Sequence, residues 1–446
     1  TMPSMRRAIS HKLQAWSESS HRKPLVIFGA RQVGKTYAIK QLASDRYDSL
    51  AYIDFSRDAR AAALFDASLA PAELVPKLEV FLHPLIDPDR TLIVFDEVQL
   101  CERALTSLKY FCDDAPQYHV VAAGSLLGVA LKRELYSFPV GKVDLLQLRP
   151  LSFEEFLWAR GETRLADAIR DAYENAPDQA FALHDRAMQL VHEYELIGGM
   201  PEIVSAYVAN DAPGIDAMES ARNKQQEINV AYLADMAKYA TPTETPRIMA
   251  VWNSIPQQLA KENHKFQYKL IKSGGRAAIY ENAIAWLDAA GIIMRCTQVT
   301  EATAPLKTFE NSSSFKIYTA DVGLLSAQYE AIPQDLEPAT DKAAGFRGGI
   351  TENYVLQQLV ASDSSVYYWG TTSKAEVEFI ARAKQGDVIP IEVKSGRNVT
   401  ARSLESFRER YHPPYLVRVS ARNFGVGNGI RSIPLYAAWL LGEDLQ

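Results

Sequence analysis

The residues with the clearest chemistry are Gly29-Ala30-Arg31-Gln32-Val33-Gly34-Lys35-Thr36, which fit the pattern GxxxxGK[ST]. Glycines at both ends of the loop let successive backbone N–H groups turn towards one point. A helix opening at Lys35 adds the positive end of its dipole there. Such a nest suits phosphate. Lys35 is placed to reach the β- and γ-phosphates, and the Thr36 hydroxyl to ligate Mg²⁺. Gly29 through Thr36, with the adjoining Tyr37, are therefore the expected nucleotide-binding residues. ATP and Mg are the expected cofactors, and ATP and ADP the expected small-molecule partners.

Thr91-Leu92-Ile93-Val94-Phe95-Asp96-Glu97 is an apolar run ending in two acids, about sixty residues after the loop. The first acid, Asp96, is expected to hold Mg²⁺ through water. The second, Glu97, is expected to polarise an attacking water. An acid in that place points to hydrolysis, because a protein that only binds nucleotide needs no water-orienting group. A further run, His119–Ala123, ends in Gly124-Ser125, where the Ser125 hydroxyl can reach a γ-phosphate or the attacking water. Lys35, Glu97 and Ser125 are thus the expected catalytic residues. Fast turnover also calls for an arginine near the γ-phosphate, for which Arg103, Arg133 and Arg149 are the candidates.

A second set of chemical residues lies near the C-terminus. Glu392 and Lys394 in Pro390-Ile391-Glu392-Val393-Lys394 are two apart on a strand and so share a face, and Glu376-Val377-Glu378 precedes them. Acid followed by ExK is a pattern that can hold Mg²⁺ and position water against a phosphodiester. Glu352 is placed to add another acid, so Glu352, Glu378, Glu392 and Lys394 form a candidate nuclease site. The same pattern also occurs on solvated strands.

The elements that must position these groups can be read from the apolar periodicity. Pro24–Phe28, Leu50–Phe55, Leu92–Phe95 and Val120–Ala123 are short apolar runs separated by helical stretches such as Lys35–Ala43 and Ala72–Leu82. Strands alternating with helices imply a parallel sheet with ligands at the carboxyl ends of its strands. From Leu151 the pattern turns helical, opening on Ser152-Phe153-Glu154-Glu155, a capping-box signature. Beyond Thr241-Pro242 come helical patterns at Ile248–Leu259 and Arg276–Ala290, the latter expected to bury Ile279, Ala283, Trp286, Leu287 and Ala290. A strand at Ile292–Met294, a hairpin tip at Asn311–Ser314 and a strand at Phe315–Tyr318 complete the pattern of a winged helix. Ala331–Thr340 reads as a linker. The last block predicts a helix at Gly349–Leu359, strands at Val366–Trp369, Val377–Ile380, Val388–Val393 and Tyr415–Val419, and a helix at Arg402–Tyr411.

Composition limits the alternatives. The chain has 446 residues with 48 basic and 54 acidic side chains, so a uniformly basic coat for nucleic acid is excluded. Residues 341–446 carry 13 basic against 11 acidic residues, a net of +2 that leaves −8 for the rest, so nucleic-acid contact is expected in the second half. Three cysteines without a CxxC pair point to a reducing, cytoplasmic location. No apolar run approaches the roughly 20 residues of a bilayer crossing, so no membrane partner is expected.

Beyond the loop, several segments carry a resemblance. They are Phe95-Asp96-Glu97-Val98-Gln99, Gly124-Ser125, Phe138–Lys142, Pro150–Phe156, Gly198-Gly199-Met200-Pro201, Ala320-Asp321-Val322-Gly323-Leu324 and Ile389–Gly396. With Gly29–Thr36 they resemble the bacterial and archaeal AAA-type ATP-binding proteins whose C-terminal part is a domain of unknown function with a restriction-endonuclease-like core. The resemblance implies an α/β chain in four parts. Residues 1–150 would be a P-loop ATPase core with an AAA- or ASCE-like parallel sheet. A helical segment would follow at 151–240, a winged-helix-like domain at 241–330, and a restriction-endonuclease-like α/β domain at 341–446. Within it Ser125 takes the sensor role. Glu378 stands where the family usually has aspartate, which changes the reach of that acid. The resulting expectation is an Mg-dependent ATPase moving its C-terminal modules on nucleic acid, with DNA as candidate partner and a homo-oligomer as candidate assembly. The alternative is an ATP-controlled switch whose nuclease-like part is inactive.

Overall fold

The computed structural model describes residues 5–83, 85–125, 127–132, 139, 141–209, 215–261, 264–336, 344–371, 375–395 and 402–446. The chain packs as two units, one of residues 6–149 with 289–291, the other of the described remainder.

The first unit is built on five strands, β1 (Leu25–Phe28), β2 (Ser49–Asp54), β3 (Thr91–Asp96), β4 (His119–Gly124) and β5 (Asp144–Gln147). All pair in parallel, in the order β2-β3-β4-β1-β5. Every residue of β3 and β4 is buried, as expected of strands covered on both faces. Helices at Lys35–Arg46, Pro71–Leu82 and Glu102–Asp114 alternate with the strands, and Phe55, Phe65, Phe95 and Phe111 meet edge-on or tilted in the core. The register pairs Phe28 with both Gly124 and Gln147, and Asp54 with Asp96, so the carboxyl ends of the strands lie along one edge. No apolar run of the kind that marks the other strands announces β5. It has four residues, none fully buried, and lies at the edge of the sheet.

The second unit begins with helices at Phe153–Ala159, Thr163–Asn175, His184–Ile197, Pro201–Val208, Ile215–Tyr239, Thr245–Leu259 and Ala277–Ala289. The first is closed by the expected capping box, in which Ser152 and Glu155 satisfy each other's backbone N–H. A mixed eight-stranded sheet follows, made of β6 (Ile293–Val299), β7 (Glu310–Thr319), β8 (Val366–Gly370), β9 (Glu376–Arg382), β10 (Val388–Lys394), β11 (Leu416–Ser420), β12 (Gly425–Gly427) and β13 (Ile430–Pro434). Its order is β12-β13-β11-β10-β9-β8-β6-β7. The antiparallel pair β6–β7 does not stand apart as a wing: Thr297, Gln298 and Val299 pair in parallel with Tyr367, Tyr368 and Trp369 of β8. Helices Ala344–Leu359 and Arg402–Tyr411 pack on this sheet.

Three local expectations are corrected. Asn311–Ser314 is not a hairpin tip but the first half of β7, and the connection is residues 300–309. The polar run suits an edge strand as well as a turn. Ala283, Trp286, Leu287 and Ala290 are buried as expected, but Ile279 is 39% exposed, and Tyr280 and Ile284 are buried in addition. Part of the expected linker, Pro333–Leu336, is a short helix. The segment from Gly425 to Glu443, with two strands and a helix, was not anticipated.

Several segments that carried the resemblance have a structural role in this unit. Leu151 N–H donates to the Gly199 carbonyl at 2.7 Å, and Gly199 N–H donates to Asp321 Oδ2 at 2.6 Å. Gly198 has φ +78° and a side chain there would meet Asp321 Oδ1 at 2.1 Å, so glycine is required. Asp321 also caps the helix at Val322–Gln328, and burial pushes its carboxyl up to about 6.

Candidate functional site

The loop after β1 adopts the conformations its glycines permit. Gly29 has φ +147° and Gly34 has φ +93°, and a Cβ on Gly29 would lie 2.1 Å from the Leu148 carbonyl oxygen. Gln32 also takes a left-handed φ of 65°. Arg7, which is buried, donates to the carbonyls of Val33 (2.9 Å) and Arg149 (2.8 Å) and so ties the loop to the end of the strand layer.

Lys35 is 6% exposed and folds back on its own loop. Its Nζ donates to the carbonyls of Gly29 (3.0 Å) and Ala30 (2.8 Å). Burial lowers its ammonium to about 8, with Glu97 and Asp96 acting in the opposite sense. Thr36 Oγ1 donates to Asp96 Oδ2 at 2.8 Å. Asp96 ends β3 and is 3% exposed; its other oxygen accepts from the Glu97 backbone N–H at 2.9 Å. Thr36 and Asp96 are hard oxygen donors in contact with each other, so the residues fit an Mg²⁺ ion carrying nucleotide phosphates.

Glu97 sits on the turn after β3 with φ 52°. Its Oε2 accepts from Gln99 Nε2 at 2.5 Å and its Oε1 from Ser125 Oγ at 3.3 Å. Because β4 lies between β1 and β3, the residue that follows it, Ser125, falls between the loop and Glu97 in the strand order. The structure thus brings together Lys35, Thr36, Asp96, Glu97 and Ser125. Gly29 to Val33 form the loop itself, with Arg31 and Gln32 exposed and Tyr37 38% exposed.

Two side chains here were not foreseen. Tyr52 on β2 donates to Asp96 Oδ2 at 2.5 Å, and burial, then this bond, pushes its phenol up, so it remains a donor. Gln99 holds Glu97, and Gly124 leaves room for it: a Cβ on Gly124 would meet Gln99 Oε1 at 2.3 Å. Gln99 could have been noticed from its place two residues after Glu97. Tyr52 could not, because its reach to Asp96 depends on β2 lying beside β3. Of the arginine candidates, Arg103 is committed to the carbonyls of Phe65 (2.6 Å) and Asp66 (3.2 Å), and Arg149 donates to Gln147 Oε1 at 2.9 Å. Arg133 lies outside the described residues.

The C-terminal acids are also gathered, but each already has a cation. Lys394 Nζ is 2.9 Å from Glu378 Oε1 and 3.8 Å from Glu392 Oε1. Arg418, opposite Glu392 across β10–β11, donates to Glu392 Oε2 at 2.9 Å. Lys316, 1% exposed, is 2.6 Å from Glu376 Oε1 and 3.7 Å from Glu352 Oε2. Glu352 further accepts from Tyr318 (2.9 Å) and meets His264 Nδ1 at 2.7 Å. Burial alone would raise Glu352, but Lys316 and His264 outweigh it and hold the carboxyl down to about 2. Burial does push Glu378 up. Among the described residues no group of three His, Cys, Asp or Glu could hold a metal ion. With its acids neutralised by Lys316, Lys394 and Arg418, this donor set does not fit a divalent cation.

With the geometry in place, comparison with known proteins gives a partial match. The family model described as an AAA domain matches residues 21–157, and two domains of unknown function match residues 188–335 and 347–438. No curated protein matches the chain. Among solved structures, the chain is similar to the Walker-type ATPase PABY2304 of Pyrococcus abyssi, at 15% identity and TM-score 0.44, over 73% of this chain and 96% of that one. It is similar to the Aeropyrum pernix ORC2 protein in ADPNP-ADP complexes, at 12% identity and TM-score 0.43, over 74% and 95%. It is also similar to the Aeropyrum pernix ORC1 protein in complex with DNA, at 14% identity and TM-score 0.30, over 74% and 94%. No helix among the described residues is long and apolar enough to cross a membrane. The parallel sheet, the phosphate-binding loop and the match over 21–157 make the N-terminal part an AAA-type P-loop domain.

Proposed function

We propose that the chain is an Mg-dependent ATPase whose nucleotide cycle moves its C-terminal part, with the nuclease-like strands β8 to β11 in one sheet with β6 and β7, against nucleic acid. The observation that carries the reading is the contact of Thr36 with Asp96 at 2.8 Å, with Lys35 adjacent to Thr36 in sequence and Glu97 adjacent to Asp96. Gly29 to Thr36 would wrap the phosphates with backbone N–H groups, and Lys35 would leave its loop carbonyls for phosphate oxygens. Mg²⁺, when bound, neutralises phosphate charge. Glu97 Oε1, shared with Ser125, would orient the attacking water and draw on its proton. ATP turnover by purified protein, abolished in Lys35→Ala and in Glu97→Gln, is the expected result; turnover indifferent to both would reject the reading.

The neutralised acids around Lys394 favour a specific form of it, in which the nuclease-like module does not cut. The expected outcome is no Mg²⁺- or Mn²⁺-dependent cleavage of duplex DNA. Cleavage lost in Lys394→Ala would show instead that the module is an active nuclease.

A further inference from the structure

Residues 261–276 hold five basic residues, Lys261, Lys265, Lys269, Lys272 and Arg276, against the single acid Glu262, in a chain whose net charge is −6. Lys265, Lys269, Lys272 and Arg276 are all exposed. Elsewhere in this unit exposed or half-exposed cations are commonly met by acids: Arg170 by Glu154 and Glu443, Lys224 by Glu202 and Glu227, Arg410 by Glu301. Lys269, Lys272 and Arg276 have no acidic partner among the described residues. The nearby carboxylate is Glu281, whose charge is felt by Tyr268.

The backbone carrying these charges is firmly anchored. Phe266 N–H donates to the Phe315 carbonyl of β7 at 2.8 Å. Gln267 and Gln258 bond reciprocally, at 2.9 and 3.0 Å, which fixes the segment to the helix Thr245–Leu259. Turn bonds close Tyr268 to Ile271 (3.1 Å) and Lys272 to Gly275 (2.8 Å), where Gly274 takes φ +77°. The aromatic rings point inward: Phe266 stacks on Phe315 with centroids 5.4 Å apart, and Tyr268 on Tyr280 at 6.4 Å. Arg295 lies over the far partner of that stack, 4.0 Å from the Phe315 ring.

Between His264 and Arg276 the exposed residues are Lys265, Lys269, Lys272, Ser273, Gly274 and Arg276, while Leu270 and Ile271 are half-buried, so the anchored segment presents a cationic rather than an apolar surface. It is suited to a regular array of phosphates, where each neutralised phosphate releases counterions. We propose that Lys269, Lys272 and Arg276 form a contact surface for the phosphate backbone of nucleic acid. The proposal rests on the nucleic-acid part of the reading above and names where that contact is made. Most protein–DNA contacts of this kind position the protein and carry no sequence information, so binding here would be indifferent to base sequence.

The test measures anisotropy of a labelled random-sequence DNA duplex with the full chain over a salt series. The triple variant Lys269→Gln, Lys272→Gln, Arg276→Gln should bind about ten-fold or more weakly and lose about 2 to 3 units of salt slope, at about 0.9 per phosphate contact. The charge-preserving variant Lys269→Arg, Lys272→Arg, Arg276→Lys should restore both. Lys12→Gln with Lys109→Gln, on exposed helix positions of the other unit, should leave the slope unchanged. Duplex binding with an unchanged slope in the triple variant would overturn this surface while leaving the nucleic-acid reading standing. Failure of the wild-type chain to bind duplex DNA or a structured RNA would overturn both. Binding to phosphatidylserine vesicles but not to the duplex, lost in the triple variant, would identify the surface as a membrane contact and overturn the proposal.

Discussion

The nucleotide centre and the C-terminal acids use the same kinds of group, carboxylates and a lysine at or near strand ends, and they solve opposite problems. In the nucleotide centre the lysine is parked on backbone carbonyls, and the two acids accept from hydroxyl, amide and backbone donors. Neither acid is within ion-pair distance of Lys35 or of any other cation among the described residues. A ligand bringing both phosphate and Mg²⁺ therefore meets an unspent lysine and unspent acids. Around Glu392 each acid is matched to a buried or half-buried cation of the chain itself. Such pairs are held together because separating them leaves a charge in a dry place. Acids and a lysine already paired within the chain have less to offer a ligand than the same groups held apart from counter-charges.

The largest expected effect breaks the second region. Glu392→Ala would leave the Arg418 guanidinium buried without its partner, and thermal or denaturant unfolding should register about 3–5 kcal/mol of lost stability. ATP binding per folded molecule should not change. If Glu392→Ala instead kept full stability, the acids would not be acting as a clasp.

Next, Lys35→Ala should weaken ATP binding about 100-fold without lowering the melting temperature, because a charge-assisted donor to phosphate is lost while a buried charge is removed. Comparable stability losses in both variants would erase the contrast between the regions. A smaller effect sharpens the first region. Tyr52→Phe removes one donor from Asp96 Oδ2 while leaving Thr36 in place. A hydrogen bond to a carboxylate contributes about 1.5 kcal/mol or more, so the Mg²⁺ concentration for half-maximal turnover should shift about ten-fold while the maximal rate holds. An unchanged Mg²⁺ requirement would remove Tyr52 from the positioning of Asp96.

The smallest effect is one of pH. Lys35 loses its proton near pH 8 in the free protein because it is buried. Its phosphate-binding form is therefore lost as pH rises through about 8, and bound phosphate would push the value back up. ATP affinity should fall between pH 8 and the ordinary lysine value near 10.5. The sign for stability is the reverse. A lysine whose folded value lies below its unfolded one makes folding less favourable at low pH, and that penalty fades as pH rises from 8 to 10.5. Titration calorimetry across this window, with Lys35→Met as the flat control, measures the first part.

Much of the nucleotide centre was legible because its parts are local. The loop, the helix start and the strand-end acids lie within short stretches whose periodicity names their elements. Tyr52 reaches Asp96 across 44 residues and Arg7 reaches Val33 across 26, contacts that depend on strand order and on the path of the chain before β1. At the other end the strands holding Glu378 and Glu392 were read where they occur, yet the cations that neutralise Glu352 and Glu392 come from β7 and β11. Arg418 looked like any polar residue alternating on a strand. The joining of β6 to β8 was hidden for the same reason: pairing between distant strands leaves no periodicity in either.

Hydrolysis at this centre requires Glu97 to act after nucleotide is bound. The most direct measurement is ATP affinity and steady-state ATP turnover of Glu97→Gln on the same preparation. Affinity within about two-fold of wild type with turnover reduced about 100-fold or more is the predicted result. Turnover equal to wild type would contradict the assignment of this centre as the site of hydrolysis.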